Sequence, residues 1–401
     1  MKLHEFFFWL LVFFLPTQLG RHFWPDFSLV FGLRVDYLSP IIYLTDLLVA
    51  GVLFSWFWAE RKKIRILGIR WFKKYWWVGA IFVYFLLTSL LSKNPGAALY
   101  KFAKIIEFSL LGLYIAKNRI SLSIIHHPLS IAVIYSSLIA IFQFFKQASL
   151  GGIFYWLGER SFNIQTPGIA LGEIWGRQFL RPYSIFSHPN SLAGFMLVSL
   201  ILILAFSGKR LASSKIKWAA TGLGTVVILL SFSRAVWLVG ALLGLFTKRK
   251  FLLFTFYFLL FTIFFVASLP GISEKPVQER IQLIKFSLEM IKSNPILGVG
   301  LNNFIVRLPE YWQSGQIRLL QPVHNIYLLI LAETGLVGLI IFLWFLVLTF
   351  RKLLEIGSWK LVIPLMAILL TGVADHYWFT LQQNQLLATI IFSLAWSKIK
   401  S

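Results

Sequence analysis

The sequence predicts an all-α, polytopic membrane protein, and three observations carry that expectation. Hydrophobic residues make up 58% of the 401 positions and charged residues only 13%, and the mean hydropathy is +0.77. Apolar runs of about 18 residues or more recur along the whole length, the mark of spanning helices. The strongly basic stretches fall at alternate ends of those runs, the pattern that cytoplasmic loops produce. The net charge of +23 is therefore assigned first to inner loops, and nucleic acid is not an expected partner. With no cysteine in the chain, disulfides, thiolate chemistry and Cys-ligated zinc are excluded.

Taken in order, the first run lies near Leu3 to Leu19. Its lysine flank is minimal and no small-residue cleavage pattern follows, so it reads as a retained helix rather than a signal peptide. Residues 21–40 contain Pro, Gly and mixed charges and read as a short re-entrant or interfacial excursion before a second span, Ile41 to Trp58. The stretch ERKKIRILGIRWFKK, residues 60–74, is the most basic in the chain and fixes the cytoplasmic side. Span three, Tyr75 to Leu91, leads to a tight turn at KNPG, residues 93–96; span four, Ala97 to Ala116, returns to Lys117 and Arg119. Span five, Leu129 to Phe145, opens an outer loop from Lys146 to about Pro189, and span six, Ser191 to Ser207, returns to Lys209, Arg210, Lys215 and Lys217.

Spans seven and eight, Trp218 to Phe232 and Ala235 to Phe246, are joined outside by Ser233-Arg234 and end at the basic TKRK, residues 247–250. Span nine, Phe251 to Leu269, exits into the longest hydrophilic loop, residues 270–323; the next begins near His324 and ends at Arg351-Lys352. Leu361 to Ala374 leads out to Asp375-His376, and a last span, about Leu386 to Trp396, returns to Lys398 and Lys400. That makes about twelve spans with both termini cytoplasmic. The chain divides into N-terminal helices, residues 1–180, a core over 181–345, and C-terminal helices, residues 346–401.

This topology gathers Arg181, His188, Asn190, Arg234, Arg280, His324, Asn325, Asp375 and His376 on the extracytoplasmic face. Its arginines are the ones the inner-loop charge bias does not explain. Arg234, in SFSRAVWLVG, stands between two apolar helices with no neighbouring carboxylate. It either snorkels to headgroup phosphates or is reserved for an anionic substrate, to which a guanidinium pairs bidentately. In the outer loop, Ile281, Ile284, Leu288 and Ile291 recur at helical spacing and predict an amphipathic helix lying on the membrane surface. Arg280 falls in the first turn of that helix, where its charge opposes the dipole. Asn294-Pro295 ends the helix, and Gly298 and Gly300 predict a tight turn. In RPYSIFSHPNSLAG, residues 181–194, Asn190 reads as a helix N-cap. Asp375 either orients a histidine or caps a helix end.

RPYSIFSHPNSLAG, SFSRAVWLVG, the block from Arg280 to NPILGVGLNNF, and HNIYLLILAETGLVGL follow one another in this order. Together they resemble the O-antigen ligase and polymerase family of bacterial membrane glycosyltransferases, over about Arg181 to Leu339. The resemblance implies a GT-C-type helical fold in the bacterial plasma membrane, acting on undecaprenyl-diphosphate-linked glycans without metal, nucleotide sugar or other cofactor. The implied partners are that donor, an acceptor glycan, lipid or protein, and membrane lipids. The family's essential outer arginines and its histidine after the large loop fall on Arg234, Arg280 and His324, with Arg181 a third candidate for binding the donor diphosphate. Two features depart from the pattern: Ala235 stands where the arginine motif carries glycine, and the loop is shorter than in a typical ligase.

The residue chemistry fits independently. A lipid diphosphate is a good leaving group that needs cations to hold developing charge. The acceptor hydroxyl needs a base, and histidine titrates near neutrality. No paired outer carboxylates of retaining type and no metal-ligand motif stand out, so direct displacement with inversion is expected. The alternative class is a multi-pass transporter for an anion or lipid-linked saccharide. Such a protein should show matched broken helices in two repeats, and the sequence offers no second copy of the Arg234 hairpin.

Overall fold

The structure is a computed structural model; it describes residues 1–74, 76–118, 120–174, 176–205, 215–244, 274–312 and 319–397. The expected span Phe251 to Leu269, the basic residues 247–250, and Arg119, Ser207, Lys209, Arg210, Lys398 and Lys400 lie outside those residues. The described chain is mostly helical. Among the described residues, Ser123–Lys146 and Ile326–Glu355 are long and apolar enough to cross a membrane, and five shorter apolar helices accompany them.

The helices follow the apolar runs. They are α1 (Leu3–Phe13), α2 (Leu44–Lys74), α3 (Trp76–Leu90), α4 (Pro95–Lys117), α5 (Leu122–Lys146), α6 (Pro189–Ala205), α7 (Lys215–Leu230) and α8 (Arg234–Gly244). The later ones are α9 (Glu274–Ser293), the short α10 (Phe304–Arg307), α11 (Ile326–Glu355), α12 (Trp359–Gly372), the short α13 (Tyr377–Thr380) and α14 (Gln382–Trp396). α1 stops well before Leu19. α2 runs on through the basic stretch expected as a loop, because nothing between Leu44 and Lys74 breaks a helix and Arg, Lys and Leu favour one. The KNPG turn is also the start of α4: Asn94 accepts from the Ala97 N–H and Pro95 takes the first helical position.

The irregular segments are not wholly helical. β1 (Gly20–His22) pairs antiparallel with β4 (Ile41–Tyr43), β2 (Leu29–Val30) with β3 (Leu33–Arg34), and β5 (Leu171–Ile174) with β6 (Arg177–Leu180). The β2–β3 turn places both Phe31 and Gly32 at positive φ, which matches the strand twist of a two-residue hairpin. The main core joins α1, α2, α4, α5, α6, α7, α8, α11, α12, α13 and α14, with Trp237, Tyr114 and Phe195 among its fully buried side chains.

α4 brings charge into this packing. Lys104 meets Asp46 of α2 at 2.5 Å and Glu107 of its own helix at 3.1 Å. Lys101, one turn earlier, donates to the Phe379 carbonyl.

α11 is broken at Gly335, whose φ of 63° and ψ of −170° belong to a region only glycine occupies readily. The chain after α9 fills the break. Val299 and Gly300 N–H donate to the carbonyls of Ala332 and Glu333, while Leu336 and Val337 N–H donate to those of Pro295 and Ile296. Groups freed by the break are thus satisfied by protein, the condition for irregular backbone in an apolar surround. Contact is too close for side chains: a Cβ on Gly335 would lie 2.2 Å from the Ile296 carbonyl oxygen, and one on Gly298, at φ 70°, lies 2.4 Å from the Glu333 backbone. The turn expected at Gly298 and Gly300 is therefore present, and it serves to dock the outer loop on α11.

Docking fixes α9. Leu283, Phe286 and Met290 are buried in a cluster with Phe304, Leu329 and Ala332, while Ile281, Ile284 and Leu288 stay exposed. The helix has two apolar stripes, and the sequence reading saw only the outer one. Arg280 sits in its second turn rather than its first.

Gly335→Ala is expected to lower the midpoint of thermal unfolding in detergent by an amount corresponding to about 1–3 kcal/mol of strain or more. Gly222→Ala, in α7 with nothing near the added methyl, is the control and should be neutral or gain up to about 1 kcal/mol from helix propensity. Equal midpoints for the two variants would remove the break from the list of stabilising constraints.

Candidate active site

The site is built around the carboxylate of Asp375, buried in the link between α12 and α13. Its Oδ2 accepts from the Asn190 side-chain amide at 2.9 Å. Its Oδ1 accepts from the His376 backbone N–H at 2.8 Å and faces His324 Nδ1 at 3.4 Å. One acidic group thereby ties together the start of α6, the approach to α11 and the end of α12. These donors, and the histidines around it, hold the Asp375 carboxyl well below the usual carboxylate range despite its burial.

His324 stands just before α11, where Asn325 is the N-cap, its side-chain oxygen accepting from the Tyr327 and Leu328 N–H groups. The Asn325 amide also donates to the Val373 carbonyl at 3.0 Å, so the helix mouth is clamped to α12. The His324 side chain keeps 17% exposure. With Nδ1 turned to the Asp375 carboxylate, the neutral tautomer that donates to it has Nε2 as its acceptor. The His376 ring lies 5.0 Å from that of His324 and is fully buried, its Nδ1 hydrogen-bonded with the Thr380 hydroxyl at 2.7 Å. Burial pushes the His376 pKa down to about 3, so the ring is neutral.

Asn190 is not the helix cap expected of it. Pro189 begins α6, and the His188 ring nitrogen accepts from the Asn190 N–H at 3.1 Å, so His188 performs the capping. The Asn190 side chain is freed to bridge Asp375 and Arg181, whose guanidinium donates to its oxygen. Arg181 also donates through Nε to the Ser231 carbonyl at 2.6 Å. Burial draws the Arg181 pKa down to about 10. Burial, with Arg181 next to it, pushes the His188 pKa down to about 3.

Arg234 opens α8 and Arg280 lies on α9; both are exposed, and neither has a hydrogen bond or ion pair among the described residues. Both act electrostatically on Arg181, and Arg280 also on His376. Three guanidinium groups from three segments thus lie within electrostatic range of one another near the acidic–histidine cluster, and two of them have no hydrogen bond or ion pair among the described residues.

His324, Asp375 and His376 present ligand-type atoms within 4.8 Å of one another; the sequence reading placed all three on one face but saw no ligand motif, because His324 is 51 residues from Asp375. The donors present fit a cation poorly. One carboxylate already accepts three hydrogen bonds, and the surrounding excess charge is positive. The cluster is suited instead to an anion beside a base. Reading along the sequence also missed Tyr37, whose ring meets that of His376 edge-on at 5.6 Å, and Thr380. The four-residue spacing of His376 and Thr380 was the available signal for the latter; none pointed to Tyr37.

The described chain is mostly helical with long apolar segments, and a histidine and exposed guanidinium groups stand at its loop junctions. Residues 190–343 match the family described as O-Antigen ligase, which supports placing the chain in the O-antigen ligase/polymerase family of integral inner-membrane proteins. The match includes Asn190, Arg234, Arg280, His324 and Asn325 and excludes Arg181, His188, Asp375 and His376. No curated protein matches the chain.

The depressed histidine values set the acid behaviour. Unfolded histidine binds its proton near pH 6.5, whereas folded His376 and His188 do so only at about 3. Between those values the unfolded chain binds more protons, so stability falls as pH falls. The unfolding midpoint in detergent should drop progressively below about pH 6.5, and His376→Gln should flatten the decline. A wild-type midpoint constant down to pH 4.5 would contradict it.

Proposed function

We propose that the protein transfers a glycan from an undecaprenyl-diphosphate-linked donor to an acceptor hydroxyl on the extracytoplasmic face, with inversion and without a metal. The observation that carries this reading is a partly exposed histidine, backed by a buried carboxylate, near three arginines of which two have no hydrogen bond or ion pair among the described residues. His324 Nε2 takes the proton of the acceptor hydroxyl as that oxygen bonds to the anomeric carbon. The bond from that carbon to the diphosphate oxygen breaks, and its electron pair leaves with the diphosphate. Arg234 and Arg280 hold the diphosphate through the charge build-up. Arg181, engaged with Asn190 and Ser231, supplies field and positions Asn190. Asp375 keeps the His324 ring oriented and stabilises the imidazolium that forms. His188, Asn190, Asn325 and His376 support this geometry.

The break in α11 is a feature that a transporter reading would use. The break is filled by residues 295–300 and does not open onto a path, which supports the enzyme reading.

His324→Ala should reduce transfer by about 10²- to 10⁴-fold while purified protein still binds the lipid-linked donor. Arg234→Ala and Arg280→Ala should weaken donor binding, with lysine a poor rescue because it lacks the bidentate fork. Chelation of divalent cations should leave turnover unchanged. Near-normal transfer by His324→Ala, or a chelator-sensitive wild type, would refute the assigned chemistry.

The location is tested by single cysteines, since the chain has none of its own. Cysteines at the exposed positions Arg234 and Arg280 should react with an impermeant thiol reagent from outside intact cells, and one at Lys215, also exposed, should not. The opposite pattern would invert the topology.

A further inference from the structure

A second cavity abuts the cluster. It has a volume of about 390 Å³ and shares His188 and Tyr37 with the site's surroundings, and it lies within the range of small-ligand pockets, roughly 300–1,000 Å³. Arg181, Arg234, Arg280 and His324 do not line it. Its walls come largely from residues 18–43, 100–104 and 155–160 together with 380–385, all outside the stretch matched to the ligase family.

The lining has a distinct hydrogen-bonding character. Gln18, Gln382, Gln383 and Gln385 all line it. Each has its amide nitrogen committed to the protein: to the Gly158 carbonyl, to Thr45 and Asp46, to the Pro16 and Ile185 carbonyls, and to the Phe379 carbonyl. Fixing the nitrogen fixes the carbonyl oxygen, and among the described residues none of the four oxygens accepts a hydrogen bond. The hydroxyls of Tyr37 and Tyr43 are likewise without a hydrogen bond among the described residues, and Asp36 has no ion pair there. The cavity is therefore rich in preset acceptors, with tyrosine rings and two adaptable hydroxyls beside them.

This lining selects a ligand by exclusion. An ammonium compound would meet Lys101, Lys104 and Arg160. A phosphate would meet the acceptor oxygens and Asp36, and the lining cations are already engaged: Lys104 is matched by Asp46 and Glu107, Lys101 donates to the Phe379 carbonyl, and Arg160 donates to the Ser187 carbonyl. A neutral polyol satisfies the acceptors with its O–H donors and lays its C–H faces on tyrosine rings.

We propose that this cavity is a recognition subsite for a neutral saccharide unit of roughly one or two rings. The inference rests on the glycosyl-transfer reading and adds the residues that select the sugar. Transfer chemistry and sugar selection are then carried by different parts of the chain.

The test uses the full-length protein in nanodiscs. A panel of free neutral disaccharides (maltose, lactose and chitobiose) is examined by saturation-transfer NMR. In parallel, the affinity of undecaprenyl diphosphate is measured with and without one N-acetylhexosamine residue. Tyr43→Phe and Asp36→Ala, singly and together, keep the cavity's shape at the ring and remove unpaired polar groups. At least one disaccharide, or the sugar-bearing lipid over the bare one, should show saccharide-dependent binding that the double variant weakens about tenfold. Loss of the sugar's increment on the lipid assigns the subsite to the donor, and loss of free-disaccharide binding alone assigns it to the acceptor. Absence of saccharide-dependent binding in the wild type, or equal binding by wild type and folded variants, overturns the proposal. Failure of bare undecaprenyl diphosphate to bind would instead strike the glycosyl-transfer reading itself.

Discussion

Four backbone hydrogen bonds between residues 295–300 and the gap in α11 are the constraint on which much of the outer structure depends. They settle where the outer loop sits and in what register. Once Gly298 lies against Glu333 and Gly335 against Ile296, with no room for a side chain at either, α9 has one position available. Leu283, Phe286 and Met290 then pack inward and Arg280 comes within electrostatic range of Arg181 and His376. The same helix begins with Asn325, clamped to α12 through Val373, so His324 is held from both sides. A break that would expose unsatisfied amides in a lone helix becomes a joint.

Charge is organised around a single acid. Asp375 faces two histidines and an asparagine directly, and three arginines lie beyond. An ionised carboxylate in that position lowers the cost of gathering so many guanidinium groups in a partly buried space, because each acts on the others unfavourably. It does so without forming an ion pair with any of them. Among the described residues, Arg234 and Arg280 keep their donors without a hydrogen bond or ion pair, and the local charge is in excess positive.

How much of this was legible in the sequence varied with the range of the interaction. The apolar runs gave the helices because burial in an apolar solvent is written residue by residue. The segments expected on the outer face do meet: Arg181, Asn190, Ser231, His324 and Asp375 are joined by direct contacts. The roles within the cluster were harder. Asn190 looked like a cap because caps are local, yet its partner Asp375 is 185 residues away, and His188 caps in its place. The second stripe on α9 was hidden because Leu283, Phe286 and Met290 interleave with Ile281, Ile284 and Leu288, so one period of hydrophobicity masked another. The hairpins of residues 20–43 are too short to show alternation at all, and with them the place of Tyr37 beside His376 went unseen.

The ion pairing of α4 carries a consequence for how the protein is made. With Lys101, Lys104 and Glu107 on one face, α4 is a poor candidate to enter hydrocarbon alone, since each such residue costs about 2.5–3.5 kcal/mol at mid-membrane. The carboxylate that sits on Lys104 belongs to Asp46 of α2, and the chain is synthesised from its N-terminus. α2 is therefore already present when α4 emerges from the ribosome, and it offers a docking partner that turns an unfavourable insertion into helix association. In this part of the molecule the order of translation is itself an assembly instruction, and a circular permutant that placed α4 ahead of α2 would lose it.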